Sequence, residues 1–275
     1  MIKDFIFDGQ ALSDFGYIAI FENSEDVIEV SAMQYENIKG ALSDISHRVS
    51  YNYEQNYTST FLIIKSECEN NEDELWMTHD DISEMTRWLA RKQYKWFRFI
   101  DEDDDDEIWY KVQVKVSKEY MGDHVLGLQL TVTANAPYGF TREIKKKIQD
   151  SEFTINAISD EEGYIYPNME ITCIVPGQLI ITNTYENRET VVNNCQQDEI
   201  ITISGGDCLQ ISSSIANRDF SKDFNYIFPR LCCNYGNTKN VILTSLGTSH
   251  GSVAYEVTPP ITLSYRGIRK VGFDR

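Results

Sequence analysis

Apolar and polar residues alternate between Thr78 and Phe140 with two different periods, which predicts one helix followed by antiparallel strands. In THDDISEMTRWLARKQ, Ile82, Met85 and Leu89 fall at i, i+3 and i+7 with Trp88 alongside, so one apolar stripe can face a sheet. Thr78 ahead of Asp81 is a capping-box-like start. Acidic residues in the first turn and Arg87, Arg91 and Lys92 near the end suit the helix dipole. KWFRFI follows as a short aromatic strand. Then Val112, Val114 and Val116 alternate with Lys111, Gln113 and Lys115, and Leu126, Leu128, Leu130 and Val132 alternate with Gly127, Gln129, Thr131 and Thr133. The pattern is that of a helix lying on an antiparallel sheet whose other face stays wet.

Upstream, Asp4 to Phe21 reads as two short strands, broken at Asp8-Gly9 and again near Ser13 to Gly16, with Phe5 and Phe7 on one buried face. A strand and a polar, irregular arm follow (Ser24 to Ala41). The next stretch is strand-like, with tyrosines at Tyr51, Tyr53 and Tyr57 that suit either a subunit contact or a core. The acidic run Asp101 to Glu107 reads as an exposed turn between strands. It lacks the glycine and terminal glutamate spacing of an EF-hand loop. After Phe140 short strands alternate with turn clusters such as VPGQ, SGGD and NYGN, without a further helix, which predicts an all-β sandwich. The expected organisation is therefore mainly β (α+β): residues 1–140 as an N-terminal domain, 141–151 as a basic-polar linker, and 152–275 as a C-terminal sandwich. Arg218 to Phe228 lacks periodicity and is expected to be a long surface loop.

Composition narrows the partners. The 275 residues carry a net charge of −18, with 41% hydrophobic and 12% aromatic residues. Such an acidic chain is a poor binder of nucleic acid through phosphates, which needs clustered Lys and Arg. It is compatible with a channel through which DNA passes without sticking. The opening MIKDFIFDGQ has no apolar signal core, and no run nears the roughly 20 apolar residues of a membrane span. Assembly in a cytoplasm, no membrane partner and reduced thiols are the corresponding expectations. The six cysteines, Cys68, Cys173, Cys195, Cys208, Cys232 and Cys233, form no CxxC pair and are expected as small buried hydrophobes.

Candidate chemistry is thin. Glu161-Glu162 and Asp198-Glu199 are the carboxylate pairs a glycoside hydrolase would need, but both sit in turn-like clusters. His47, His79, His124 and His250 are scattered, and Ser204-Gly205-Gly206 is no nucleophile elbow. No catalytic residue, metal or cofactor is expected. Sugar stacking has more material: Tyr164, Tyr166, Tyr185, Phe220, Phe224, Tyr226, Phe228 and Tyr235 are available, with Tyr226 and Tyr235 as the candidate contacts.

Several stretches together resemble the distal tail protein (Dit) family of long-tailed bacteriophages. FIFDGQALSDFGYIAI resembles that family's opening, and matches its pattern at Phe7, Gly9, Asp14 and Gly16. A helix ending in WLA (Trp88, Leu89) and a domain ending in APYGF (Pro137, Tyr138) resemble its middle. YPNMEITCIVPGQLIITN, NYIFPRL and ITLSYRGIR resemble its C-terminal sandwich. The resemblance implies a β-sandwich-like ring (belt) domain with one helix, followed by a galectin-like sandwich without carbohydrate-binding insertions. It implies a virion structural protein of a siphovirus or prophage that forms a homo-hexameric ring. The tail tube protein would sit above and a tail-associated lysin, fibre or receptor-binding protein below. The arm between Ser24 and Ala41 would reach the neighbouring subunit, and the channel wall is expected to be negative or neutral. The alternative is a carbohydrate-binding adhesin module of a phage tail or cell surface.

Overall fold

A computed structural model of the protein describes residues 4–21, 33–39, 46–53, 56–66, 75–100, 107–206, 208–250 and 253–270. The chain divides into two compact units, Met1–Thr141 with Arg269–Arg275, and Arg142–Ile268. Both are built from β-strands, and the described residues contain one α-helix.

The first unit contains β1 (Asp4–Phe7), β2 (Gln10–Ala11), β3 (Tyr17–Ile20), β4 (Met33–Lys39), β5 (Ser46–Tyr53), β6 (Thr58–Lys65), β7 (Lys95–Ile100), β8 (Tyr110–Met121), β9 (His124–Ala134) and the helix α1 (His79–Leu89). Seven of these strands form a sheet in the order β2–β1–β7–β8–β9–β6–β3, antiparallel at every step. The arm expected between Ser24 and Ala41 lies largely outside the described residues. Its described part, β4, pairs with β5 as a separate two-stranded ribbon. Tyr57 belongs to the core, its ring edge-on to Tyr110 at 6.2 Å. The side chains of Tyr51 and Tyr53 and the run 101–106 fall outside the described residues.

Helix α1 begins where its capping box predicts. The Asp81 N–H donates to the Thr78 hydroxyl (3.2 Å), and the Thr78 N–H donates to the Asp81 carboxylate (2.7 Å). Lys65 ties the same carboxylate to β6 at 2.9 Å. The helix ends at Leu89, short of Arg91 and Lys92. Ala90 leaves helical geometry (ψ 85°) as the chain turns toward β7, so only Arg87 of the three expected basic residues lies in the last turn. A second difference concerns β9. The partners Glu119↔Gly127 and Tyr120↔Val125 leave Leu126 as a bulge residue. An extra residue reverses the alternation. Val125, not Leu126, therefore packs on the core that Leu128, Leu130 and Val132 continue.

The second unit contains β11 (Ile144–Ile148) through β23 (Ile268–Arg269), β10 (Gly139–Phe140) closing the first. Its further strands are β12 (Glu152–Ser159), β13 (Gly163–Ile165), β14 (Asn168–Cys173), β15 (Gly177–Asn183), β16 (Arg188–Cys195), β17 (Glu199–Ser204), β18 (Gln210–Ser213), β19 (Leu231–Cys233), β20 (Gly236–His250), β21 (Val253–Val257) and β22 (Ile261–Tyr265). One sheet runs β23–β12–β20–β15–β16 with β21 on β20, and the other runs β11–β22–β14–β17–β18. Their inner faces share one apolar core, in which Ile155, Leu179, Ile181 and Leu246 of the first meet Ile171, Ile201, Ile203 and Leu263 of the second. Each such side chain contributes roughly 1.5–3 kcal/mol on burial. The stretch 141–151, expected as a linker, is largely not one. Ile144–Ile148 pairs residue for residue with Ile261–Tyr265. Three consecutive lysines obscured this strand, because on a sheet edge they need bury nothing while Ile144 and Ile148 at its two ends pack on the core.

Candidate functional site

The residues that carry the family resemblance gather around Trp88. Its ring stacks on Phe5 (centroids 5.8 Å), meets Phe7 edge-on (5.9 Å) and lies 4.5 Å from Phe15. Its indole N–H donates to the Phe7 carbonyl (3.3 Å), which satisfies the one polar atom of a buried ring. Asp8 and Gly9 both take positive φ, 51° and 84°, the geometry of a two-residue hairpin turn between β1 and β2. The Asp8 N–H donates to the Trp96 carbonyl (3.0 Å), and Lys95 pairs with its carboxylate (3.1 Å). Asp14 accepts from the Ala11 N–H (3.1 Å), and Gly16, at φ 77°, ends the turn by donating to the Ser13 carbonyl (3.0 Å). Leu89 is buried beside Trp88.

Pro137 and Tyr138 lie apart from this cluster, at the end of the unit. There Phe140 exchanges two 2.7 Å backbone hydrogen bonds with Trp109, and Tyr138 meets Phe140 edge-on at 5.6 Å. Gly139 between them has no room for a side chain, since a Cβ would come within 2.5 Å of Ile108.

The wet face of the first sheet is a ladder of amides and hydroxyls. Across β8, β9 and β6, Gln113, Thr133 and Thr58 form one row, and Lys115, Thr131 and Thr60 the next. Lys111 lies over the Trp96 ring (5.5 Å), and Arg98 pairs with Glu107 (2.7 Å). At the far tip of the β8–β9 hairpin, Tyr120 and Met121 are exposed.

In the second unit the proposed carboxylate pairs dissolve. Glu199 is wholly buried, and its oxygens accept from Ser213 Oγ (2.6 Å), Arg218 Nε (3.2 Å) and the Gln196 N–H (2.8 Å). Asp198 sits on the turn beside it at φ 63°. Glu161 is buried and its carboxylate accepts from the Glu162 N–H (3.3 Å). A carboxylate so enclosed cannot reach a glycosidic bond. Among the described residues no cluster of three His, Cys, Asp or Glu could hold a metal, and no helix is long and apolar enough to cross a membrane. His79 is exposed and His124 stacks on Trp76 at 5.0 Å. The side chains of His47 and His250 are outside the described residues.

The segment expected as a free surface loop, Arg218 to Phe228, is instead a pinned strap. Arg218 holds Glu199 and Asp223 at 3.2 and 2.5 Å and donates to the carbonyls of Asn193 and Asn194. Phe224 is buried and bridges Val192. The missed signal was a lone arginine flanking an aromatic run, which periodicity cannot detect. A second buried-edge pair, Arg230 bidentate on Glu186 (2.8 and 2.6 Å), lies under Tyr164, whose ring centroid is 3.4 Å from the guanidinium carbon.

Of the aromatics weighed for sugar contact, Phe224 is core, whereas Tyr226 and Tyr235 are 65% and 60% exposed. An open cleft of about 550 Å³ lies between Glu186, Arg188, Glu189, Asn225, Ile227 and Arg230, and Tyr226 itself is not among its walls. Tyr235 does not line it either. It sits on the β19–β20 turn, so the two tyrosines belong to separate elements.

The hydrogen bonds from Arg230 outweigh the burial that opposes them and hold the Glu186 carboxyl below the usual glutamate range. A depressed carboxyl adds stability above its unfolded value, about 4.3, and loses it as pH falls through the lower folded value. Glu186→Gln is therefore expected to lower stability at pH 7, where the ionised carboxyl contributes, and to flatten the acid limb below about pH 4.3, where variant and wild type converge. Urea midpoints between these pH values check this, and an unchanged acid limb would remove Glu186 from the account.

The same two-part organisation is found in known proteins. Residues 1–136 match the family described as phage tail protein N-terminal domain, and residues 138–255 the one described as phage tail C-terminal domain. The crystal structure of the Dit protein (gp 19.1) of phage SPP1, described as a paradigm of the hub adsorption apparatus in phages infecting Gram-positive hosts, superimposes with a TM-score of 0.57 at 10% identity. The match covers 98% of this chain and 99% of that one. A chain of the phage P2 baseplate in its activated, Ca-bound conformation superimposes over 100% of both chains, with a TM-score of 0.52 at 9% identity. No curated protein sequence matches the chain. Matched in both of its domains, from residue 1 to residue 255, the chain belongs to the phage tail proteins, with a fold similar to that of SPP1 Dit.

Proposed function

We propose that this structural tail protein is a distal tail hub: copies close into a ring that continues the tail tube and docks the adhesion apparatus of the tail tip. The observation that carries the reading is the likeness of fold to SPP1 Dit along the whole of both chains, not within one domain alone. A closing ring needs head-to-tail contacts between different surfaces of each copy. The β4–β5 ribbon and the exposed hairpin tip at Tyr120 and Met121 are suited to such contacts. In the ring the tail tube protein lies above and a tail-associated lysin, fibre or receptor-binding protein below. DNA passes through a channel whose wall is negative or neutral overall, and the protein acts mechanically, without catalysis. It is made in the host cytoplasm and ends in the virion.

The test is the native mass. Six copies of the 31.7 kDa chain would weigh about 190 kDa by light scattering and show a central hole in negative stain. A species that stays monomeric at high concentration, alone and with the tail tube protein, would overturn the ring. DNA retained by the ring at physiological salt would overturn the non-binding channel.

One observation favours a second reading, a carbohydrate-binding module. Tyr226 is exposed, and its chain neighbours Asn225 and Ile227 line an open polar cleft of a size to hold a sugar. A glycan array separates the two, since the hub reading requires no glycan signal and the module reading requires one lost in Tyr226→Ala.

A further inference from the structure

We propose that Cys173 and Cys195 form a cross-link site, which a peroxide converts to a disulfide joining the two sheets of the C-terminal sandwich. Cys173 ends β14 in one sheet and Cys195 ends β16 in the other. Three features bring them to the same end of the core. Cys173 lies opposite Glu199, the first residue of β17. Cys195 is joined to that residue by the short turn 196–198. The turn is closed by the Asp198 N–H on the Cys173 carbonyl (2.7 Å) and the Gln196 N–H on the Glu199 carboxylate (2.8 Å). Both side chains point inward, are buried and belong to one apolar cluster. The Cys195 thiol donates to the Val192 carbonyl of its own strand (3.5 Å), which leaves its sulfur inside the core cluster that Cys173 shares.

The other described cysteines lack this arrangement. Cys232 and Cys233 are neighbours on one short strand, where successive side chains point to opposite faces. Cys208 is exposed. Packing does not need two thiols at one end of the sandwich core, since a pair of small apolar side chains would fill the same space.

The chemistry balances with peroxide as oxidant. The Cys195 thiolate attacks one peroxide oxygen, the O–O bond breaks, and the hydroxide released takes up a proton to leave as water. The resulting sulfenic acid is attacked by the Cys173 sulfur. The S–S bond forms, the S–O bond breaks, and a second water leaves with the Cys173 proton. Two thiols give up two electrons to one peroxide. Cys195 is the attacking partner because it directly precedes the turn 196–198, the exposed segment at this end of the core. Gln196, Gln197 and Asp198 of the adjoining turn are exposed, so the oxidant, little larger than water, needs to cross only that turn. A chain folded in a reducing cytoplasm and released to an oxidising exterior would meet the oxidant after assembly. That timing rests on the proposed place in the virion, whereas the bond itself does not.

The test uses the full chain carrying Cys208→Ser, treated with hydrogen peroxide under native conditions. The expected result is a loss of about 2 Da and a Cys173–Cys195 linked peptide in a non-reducing digest. The melting midpoint of the C-terminal sandwich should rise by about 5–10 °C and fall back on adding a thiol reductant. Cys195→Ala, which keeps a small apolar side chain, should abolish both changes. A mass gain of about 16 or 32 Da without the link, a link to another cysteine, or a link that forms only in denaturant would overturn the proposal. The mass and peptide readouts do not depend on ring formation, so loss of the hub reading would leave this test unaffected.

Discussion

Trp88→Ala is expected to destabilise the N-terminal domain by about 3–5 kcal/mol, the range for removing a buried large aromatic. The substitution removes more than area. Trp88 is the side chain through which α1 grips the sheet, touching Phe5 and Phe7 of β1 and Phe15 of the following turn. Its N–H also satisfies the Phe7 carbonyl, so the variant leaves a buried acceptor short as well as a cavity. Met85 and Leu89 remain buried on the same helix. Hydrogen exchange by mass spectrometry reads the outcome locally. Peptides from α1, β1 and β7 should lose protection while those from β14, β17 and β22 keep theirs. Unchanged protection in α1 and β1 would show that the aromatic cluster does not hold the helix. Trp88→Phe, which keeps most of the packing and loses the hydrogen bond, should fall between wild type and alanine.

Arg218→Ala is expected to cost the C-terminal sandwich a similar amount, about 3–5 kcal/mol, for a different reason. Removing one partner of a buried ion pair leaves the other charged and unpaired. Glu199 is 1% exposed and would keep only Ser213 and the Gln196 N–H. Asp223 and the carbonyls of Asn193 and Asn194 would lose their donor in the same step, freeing the strap over β16. Denaturant unfolding followed by exchange of peptides 189–195 and 218–228 measures this. The control is the double variant Arg218→Met with Glu199→Gln, in which the wholly buried carboxylate is neutral and only the partly exposed Asp223 stays charged. It should recover a large part of the loss, because the cost lies in the stranded carboxylate rather than in missing attraction. Equal losses in the single and double variants would assign the effect to packing of the strap alone.

The main element boundaries were legible because local rules carried them. The capping box at Thr78, the apolar stripe of Met85 and Leu89 and the alternation of Val112 to Val116 each depend on residues a few positions apart. The turn at Asp8-Gly9 was legible for the same reason, since positive φ at two successive positions is a local demand. The differences arise where a residue's role depends on a distant partner. Leu126 looks like one more member of an alternating strand, and only the pairing with β8 makes it a bulge. Ile144–Ile148 looks like a linker until β22 lies beside it.

The candidate site divides along the same line. The chain's acidic balance and the clustering of family-like motifs were properties of the sequence, and they pointed to a structural tail component rather than a catalyst. The fate of each carboxylate and each aromatic was not. Whether Glu199 is a reagent or a buried ion partner, and whether Phe224 or Tyr226 meets solvent, depends on Arg218 arriving from some 20 residues further along the chain. Sequence alone determined the mainly-β class, the single helix and its buried face, because these follow from periodicity and short-range hydrogen bonding. Tertiary structure alone decided the bulge, the strand within the supposed linker, the pinned strap and the meeting of Cys173 and Cys195 in one core cluster. Each of these is an energy shared between residues far apart in the chain, and periodicity within one segment carries no record of it.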